Sequence, residues 1–262
     1  MMLRVLRSTS AIMLRVLTPA MVIIVLAINV AKAADLARNC KDLQISGMSE
    51  DGTGTIYPFS EHPEQYVTVY CDQTTAGGGW TVILRRDNYE FQEDFYRSFD
   101  EYATGFGDVK HDFWLGNDVI HELTNQGITE LYVDLEDWEG ETKYAYYKFF
   151  YLAGREPDAP YAPPYQMEAT LYEGTAGDCM AYQNGMGFTT FDNDMDDKDD
   201  GNCAEKFYGA WWHRLCYMGM LTGRYYPNSQ NVTDGVMWWS FHIENEFYTL
   251  KRAAMMVRPQ AL

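Results

Sequence analysis

Positive charge is scarce in this chain. Its 20 Lys and Arg stand against 38 Asp and Glu, a formal charge of −18. Such a surface repels nucleic acid and anionic membranes, which excludes both as partners. Long apolar runs are equally scarce. The one candidate, Ala20 to Val30, follows Arg4, Arg7 and Arg15 and runs into Ala31-Lys32-Ala33, a small-x-small cleavage pattern. It is short for a membrane span, which needs roughly 20 residues. The expectation is a secretory leader over 1–33 and a secreted, extracellular domain over 34–262 with no membrane insertion after cleavage. A signal anchor starting near Ile12 is the alternative, though Arg15 and Pro19 interrupt it, and Met13 or Met21 could also initiate. The leader holds Arg4, Arg7, Arg15 and Lys32 and no acid, so sixteen bases remain against 38 acids and the net charge falls to −22.

Catalytic signatures are missing too. There is no G-x-S-x-G, no H-E-x-x-H and no P-loop, and His121-Glu122 has no second histidine at the required spacing. Carboxylates are so abundant that a pair at glycosidase distance would diagnose nothing. The expectation is a binding protein, not an enzyme. No internal repeat, heptad pattern or Gly-x-y run supplies a stalk, so a homo-oligomer would have to form through the domain itself or through a cysteine.

All five cysteines, Cys40, Cys71, Cys179, Cys203 and Cys216, follow the leader. Export makes disulfides the default. The local solution pairs Cys40 with Cys71 and Cys203 with Cys216, leaving Cys179 over. Cys179 is either a bridge to another molecule or a buried small hydrophobe, and the second reading is preferred.

Val67 to Cys71 and Trp80 to Arg86 read as strands, the latter after the turn Gly77-Gly78-Gly79. Ser98 caps a short helix with Phe99, Tyr102 and Ala103 on one face and Gly105 beyond its end. Asn117 is expected to cap another, with Leu115, Val119, Ile120 and Leu123 inward and Gly127 as its stop. Leu131, Val133 and Leu135 alternate with polar or aromatic neighbours, and Tyr144 to Leu152 is strand-like. The turn at Glu139-Gly140-Glu141 joins the two as a hairpin. From Gly174 onward the sequence is loop-like. Strands without βαβ alternation, plus a few short helices, argue an α+β fold.

The densest feature is FDNDMDDKDDGNCAEKFYGAWWHRLC, Phe191 to Cys216. Asp192, Asp194, Asp196, Asp197, Asp199 and Asp200 repel one another unless a cation sits among them. Hard oxygen ligands, the turn-forming Gly201 and no thiolate pattern for zinc point to Ca2+. An EF-hand is excluded: counted from Asp194, position 6 is Asp199 rather than Gly, and counted from Asp192, position 12 is Cys203.

The runs GGGWTVILRR (77–86), GFGDVKHDFWLGNDVIHELT (105–124), YVDLEDWEG (132–140), GTAGDC (174–179), NGMGFTTFDNDMD (184–196), NCAEKFYGAWWHRLC (202–216) and MMVRP (255–259) are collinear. Together they resemble the fibrinogen C-terminal domain family, including ficolins and tachylectins. The resemblance implies a small disulfide-bonded N-terminal subdomain, a central antiparallel sheet with short helices, and a loop-rich calcium-binding C-terminal part. It implies a calcium-dependent lectin for acetylated glycans in innate immunity, or an extracellular protein-binding module of adhesion and signalling with no sugar ligand.

Mapped onto this sequence, the family's calcium ligands are the carboxylates of Asp194 and Asp196 and the carbonyls of Lys198 and Asp200. One extra residue before the cysteine leaves Gly201 and Asp197 as alternatives. The implied acetyl pocket has a cis peptide at Leu215–Cys216, amide donors at Cys216 and Tyr217, and aromatic walls at Phe207 and Trp211. Trp211 and Trp212 could stack a sugar or be core, and core is the preferred reading for the pair. Tyr217 stands where the family usually has His, and the second half of the cage falls on Val232 and Thr233, so the pocket is altered. Asn231-Val232-Thr233 is a glycosylation sequon beside it.

Overall fold

The computed structural model describes residues 36–156, 162–242, 244 and 247–260. The expected leader, residues 1–33, lies outside the described residues.

The domain opens with helix α1 (Cys40–Ile45) and strands β1 (Gly52–Ile56), β2 (Val67–Asp72) and β3 (Trp80–Arg86). Helix α2 (Phe99–Thr104), the two-residue strands β4 (Phe106–Gly107) and β5 (Phe113–Trp114), and helix α3 (Asn117–Thr124) follow. The long strands β6 (Thr129–Glu136), β7 (Thr142–Leu152) and β8 (Met167–Gly174) come next. Beyond them lie a loop-rich stretch with helix α4 (Cys203–Phe207), the short pair β9 (Gly219–Met220) and β10 (Met237–Trp238), and finally β11 (Arg252–Pro259).

The main sheet runs β1-β2-β3-β11-β6-β7-β8, antiparallel at every step, with β5 and β4 attached beside β3. The C-terminal strand therefore lies at the centre. Met255 sits opposite Leu84 on one side and Val133 on the other, and all three are buried. A bulge between Met255 and Met256 resets the register against β3. The Cys40–Cys71 disulfide, with Cα atoms 5.5 Å apart, ties α1 to β2. The fold is α+β, as the strand pattern implies.

Helix α2 starts as expected. The Ser98 side chain accepts from the Glu101 amide while the Glu101 carboxylate accepts from the Ser98 amide at 3.0 Å, a reciprocal cap. Helix α3 starts differently. Its N-cap is Gly116, at φ +108°, and Asn117 is the first helical residue. A Cβ on Gly116 would come within 2.9 Å of the Thr104 carbonyl, so close approach of the α2 end fixes a glycine there. Asn117 is fully buried and makes no capping hydrogen bond. The helix ends at Thr124 with Asn125 as its C-cap, so Gly127 lies beyond it rather than stopping it. α1, β1, β8 and β11 were not among the expected elements.

Gly116→Ala should cost on the order of 2 kcal/mol, from the strained φ and the carbonyl approach. Ser98→Ala should cost about 1 kcal/mol through its lost cap. Urea unfolding midpoints check the order. A Gly116→Ala protein no less stable than Ser98→Ala would mean that contact does not set the start of α3.

Candidate recognition site

The acidic loop is held at both ends. Asn202 caps α4: its side-chain oxygen accepts from the Ala204 and Glu205 amides at 2.7 and 3.1 Å, while its amide group donates to the Thr190 carbonyl at 2.8 Å. The Cys203–Cys216 disulfide, Cα atoms 5.6 Å apart, then joins the first turn of α4 to the loop's far end. Arg214 closes the frame. Its guanidinium donates to the carbonyls of Tyr182 at 2.7 Å and Asn184 at 2.9 Å and meets Asp197 at 3.4 Å. Its carbonyl accepts from the Asp197 amide at 2.9 Å. Nothing in the local sequence singles out this arginine, because its carbonyl partners come from a segment some thirty residues earlier.

Asp194 and Asp196 are brought together. An Asp194 oxygen accepts from the Asp196 amide at 3.1 Å. Asp196 accepts from the Lys198 amide and the Cys203 amide, both at 2.8 Å, one on each oxygen. Asp194 is exposed overall, but partial desolvation of its carboxyl, and then the neighbouring Asp196 charge, push it above its ordinary range. Asp200 is turned outward. Its carbonyl accepts from the Lys198 ammonium at 2.6 Å, and its carboxylate pairs with the same ammonium. The oxygen donors that a hard cation could use here are the Asp194 carboxylate, the Lys198 carbonyl and the lone pairs that the two amide bonds leave on Asp196. Either Gly201 or, once Lys198 lets go, Asp200 would complete the set.

The expected ligand residues divide. Phe207, the last residue of α4, is half-buried, and the Tyr217 ring stands edge-on to it at 5.1 Å. The Tyr217 hydroxyl donates to the Thr233 carbonyl. The Leu215–Cys216 peptide is cis, and Cys216 lies at the boundary of the core. Among the described residues, neither the Cys216 nor the Tyr217 amide donates to a backbone carbonyl. Trp211 does not join this wall. It is fully buried, packed edge-on to Trp212 at 5.0 Å, and its backbone pairs with Thr189. Its ring fills core volume and offers no face to a ligand, which corrects the expectation.

His213, unnoticed in the sequence, lies directly beneath. It is fully buried; its Nε2 donates to the Gly209 carbonyl at 2.9 Å, and among the described residues its Nδ1 has no hydrogen-bond partner. Cys179 is a buried free thiol, 3.1 Å from the Ser240 hydroxyl, and burial raises its pKa to about 11. Another molecule cannot reach that sulfur, so a Cys179 bridge is not open to the folded domain. Asn231 is exposed on the segment whose Thr233 receives the Tyr217 hydroxyl. A glycan there would stand at the rim of this site.

Residues 36–260 match the family model described as fibrinogen beta and gamma chains, C-terminal globular domain. Mouse tenascin is 41% identical over 222 residues, covering 85% of this chain and 10% of tenascin. Human fibrinogen C domain-containing protein 1 is 40% identical over 221 residues, covering 84% of this chain and 46% of the relative. The chain thus spans half or less of the curated relatives it matches. Among solved structures, the fibrinogen-like globe domain of human ANGPTL2 superposes with a TM-score of 0.77 at 36% identity, covering 86% of this chain and all of that one. The lamprey fibrin D-dimer complexed with the peptide Gly-His-Arg-Pro-amide gives 0.74 at 30% identity, covering 86% of this chain and 75% of that one. The chain is a binding domain, not an enzyme. Among the described residues, no helix is long and apolar enough to cross a membrane.

Burial lowers the His213 pKa from 6.5 to about 4, so the folded protein keeps the ring neutral where the unfolded polypeptide protonates it. Stability from this group is therefore complete above pH 6.5 and lost as pH falls toward 4, by at most about 1.4 kcal/mol per pH unit. In His213→Gln that slope should shrink by up to one proton. Unfolding measured across this window checks it, and an unchanged slope would show that His213 protonates freely in the fold.

Proposed function

Because the protein belongs to the family of C-terminal globular domains of fibrinogen beta and gamma chains, we propose that it is an extracellular, calcium-organised recognition module that docks a basic peptide segment of a protein partner. The observation that carries this reading is Tyr217. Its ring stands edge-on to Phe207 and its hydroxyl is tied to Thr233, a placement that would narrow the aromatic cage an acetyl methyl needs. What remains is a shallower face whose Cys216 and Tyr217 amides suit a peptide carbonyl. The acidic loop beside it suits a Lys, an Arg or a free amino terminus. The lamprey fibrin D-dimer, a relative by structure, was solved with a peptide of that character. The calcium ion belongs between Asp194 and Asp196, where it relieves the repulsion that helps raise the Asp194 carboxyl, and binding only the folded state it stabilises the domain.

The lectin reading keeps one specific support: the same two amides and the Phe207 ring also suit an acetyl group. Arrays of basic amino-terminal peptides and of acetylated and non-acetylated glycans separate the two, each run with calcium and with chelator. We expect peptide binding that weakens with salt and with chelator, together with a calcium-dependent rise in melting temperature that Asp194→Ala abolishes. Binding confined to acetylated glycans would reject the peptide reading. A calcium shift retained in Asp194→Ala would reject the ligand assignment.

A further inference from the structure

A different set of donors gathers on the other side of the β6–β7 turn. Asp137 follows β6, and its side chain is only 2% exposed. One carboxylate oxygen accepts from the Glu139 and Glu141 amides at 3.0 and 2.7 Å and so builds the turn. The other faces Nε2 of His242 at 3.1 Å, and no other donor among the described residues reaches it. Glu141 brings a second carboxylate from the same turn. One ligand atom from each of Asp137, Glu141 and His242 lies within 4.8 Å of the others. All three line an open cleft of about 640 Å³, to which Glu139 and Glu244 add further carboxylates.

We propose that Asp137, Glu141 and His242 form a site for a zinc-type divalent cation, independent of the acidic loop. Three protein ligands with nitrogen and oxygen donors, and a fourth position opening to solvent, is an arrangement zinc accepts. Two ligands at bond lengths of about 2.0–2.1 Å on a tetrahedral ion stand about 3.3 Å apart, close to the Asp137–His242 spacing. The imidazole sets this site apart from a cluster of acids. It favours zinc or another transition metal over calcium, which takes oxygen alone. Asp137 is oriented in advance by the two turn amides, as ligating carboxylates commonly are. Lys143 is the local competitor, 3.3 Å from Glu141. Its ammonium also donates to the Phe241 carbonyl at 2.6 Å and lies over the Phe241 ring at 4.7 Å. A metal at Glu141 would therefore break one of its contacts and leave the other two. The ion would pin the β6–β7 turn to the segment that carries His242, and its open position would take water or a side chain from a partner.

The test uses the whole protein, stripped with chelator and titrated with Zn2+ in the presence of excess Ca2+. Calorimetry should show one tight equivalent, and Co2+ in its place should give the visible absorption of a low-symmetry site with a nitrogen ligand. His242→Gln should weaken zinc binding about tenfold or more, and Glu141→Gln should weaken it as well. Asp194→Ala should leave it unchanged. Asp137 is left intact because it holds the turn. Failure of the wild-type protein to bind zinc would overturn the proposal and leave Asp137–His242 as a plain hydrogen-bonded latch. Equal zinc affinity in His242→Gln would overturn it as well, placing the ion at another histidine.

Discussion

The last strand to be made is the one the sheet cannot do without. β11 lies between β3 and β6, so the pairing that joins the first third of the protein to the β6–β7–β8 block runs through residues 252–259. Every segment between β8 and β11 must leave the sheet and return to it, and it does so as loops. Those loops carry the acids of residues 192–200, the second disulfide and the pair of Phe207 and Tyr217 rings. The site is thus a consequence of topology: a long excursion, anchored at both ends in one sheet, with little regular structure of its own to satisfy its polar groups.

The excursion is ordered by a small number of polar ties. Asp196 spends both oxygens on backbone amides, Arg214 reaches back to Tyr182 and Asn184, and Asn202 caps a helix of one turn. Each tie satisfies a group that would otherwise be left without a partner. They leave the exposed Asp194 beside the Asp196 charge, with no basic side chain paired to it among the described residues. That imbalance is the physical basis for proposing a cation in the loop. The disulfide and Arg214 also fix Cys216, and with it the proposed ligand face, relative to the same loop.

Much of this was legible in the sequence, and the exceptions have identifiable causes. The alternation in Leu131, Val133 and Leu135, the Ser98 cap and the loop-rich C-terminal third depend on neighbours within a few residues, where pattern reading is strong. β11 could not be placed at the centre, because Ala253 to Val257 carries no local sign of which strands flank it. Asn117 resembled a helix cap until the approach of Thr104 showed that the position before it had to be glycine. Burial bears out the preferred core reading of the Trp211-Trp212 pair and removes Trp211 from the ligand wall that the family resemblance implied. The pairing of Asp137 with His242 spans 105 residues and left no trace in spacing.

The central claim is that the face formed by Cys216, Tyr217 and Phe207 recognises a ligand when the adjacent acidic loop holds calcium. Backbone amide spectra of the isotope-labelled domain test this directly, titrated first with calcium and then with a basic peptide. Calcium should move the amides of Asp196, Lys198 and Cys203, and the peptide should then move those of Cys216 and Tyr217, with little effect before calcium is added. Peptide-induced shifts that map to another face, or that are the same with and without calcium, would contradict the account.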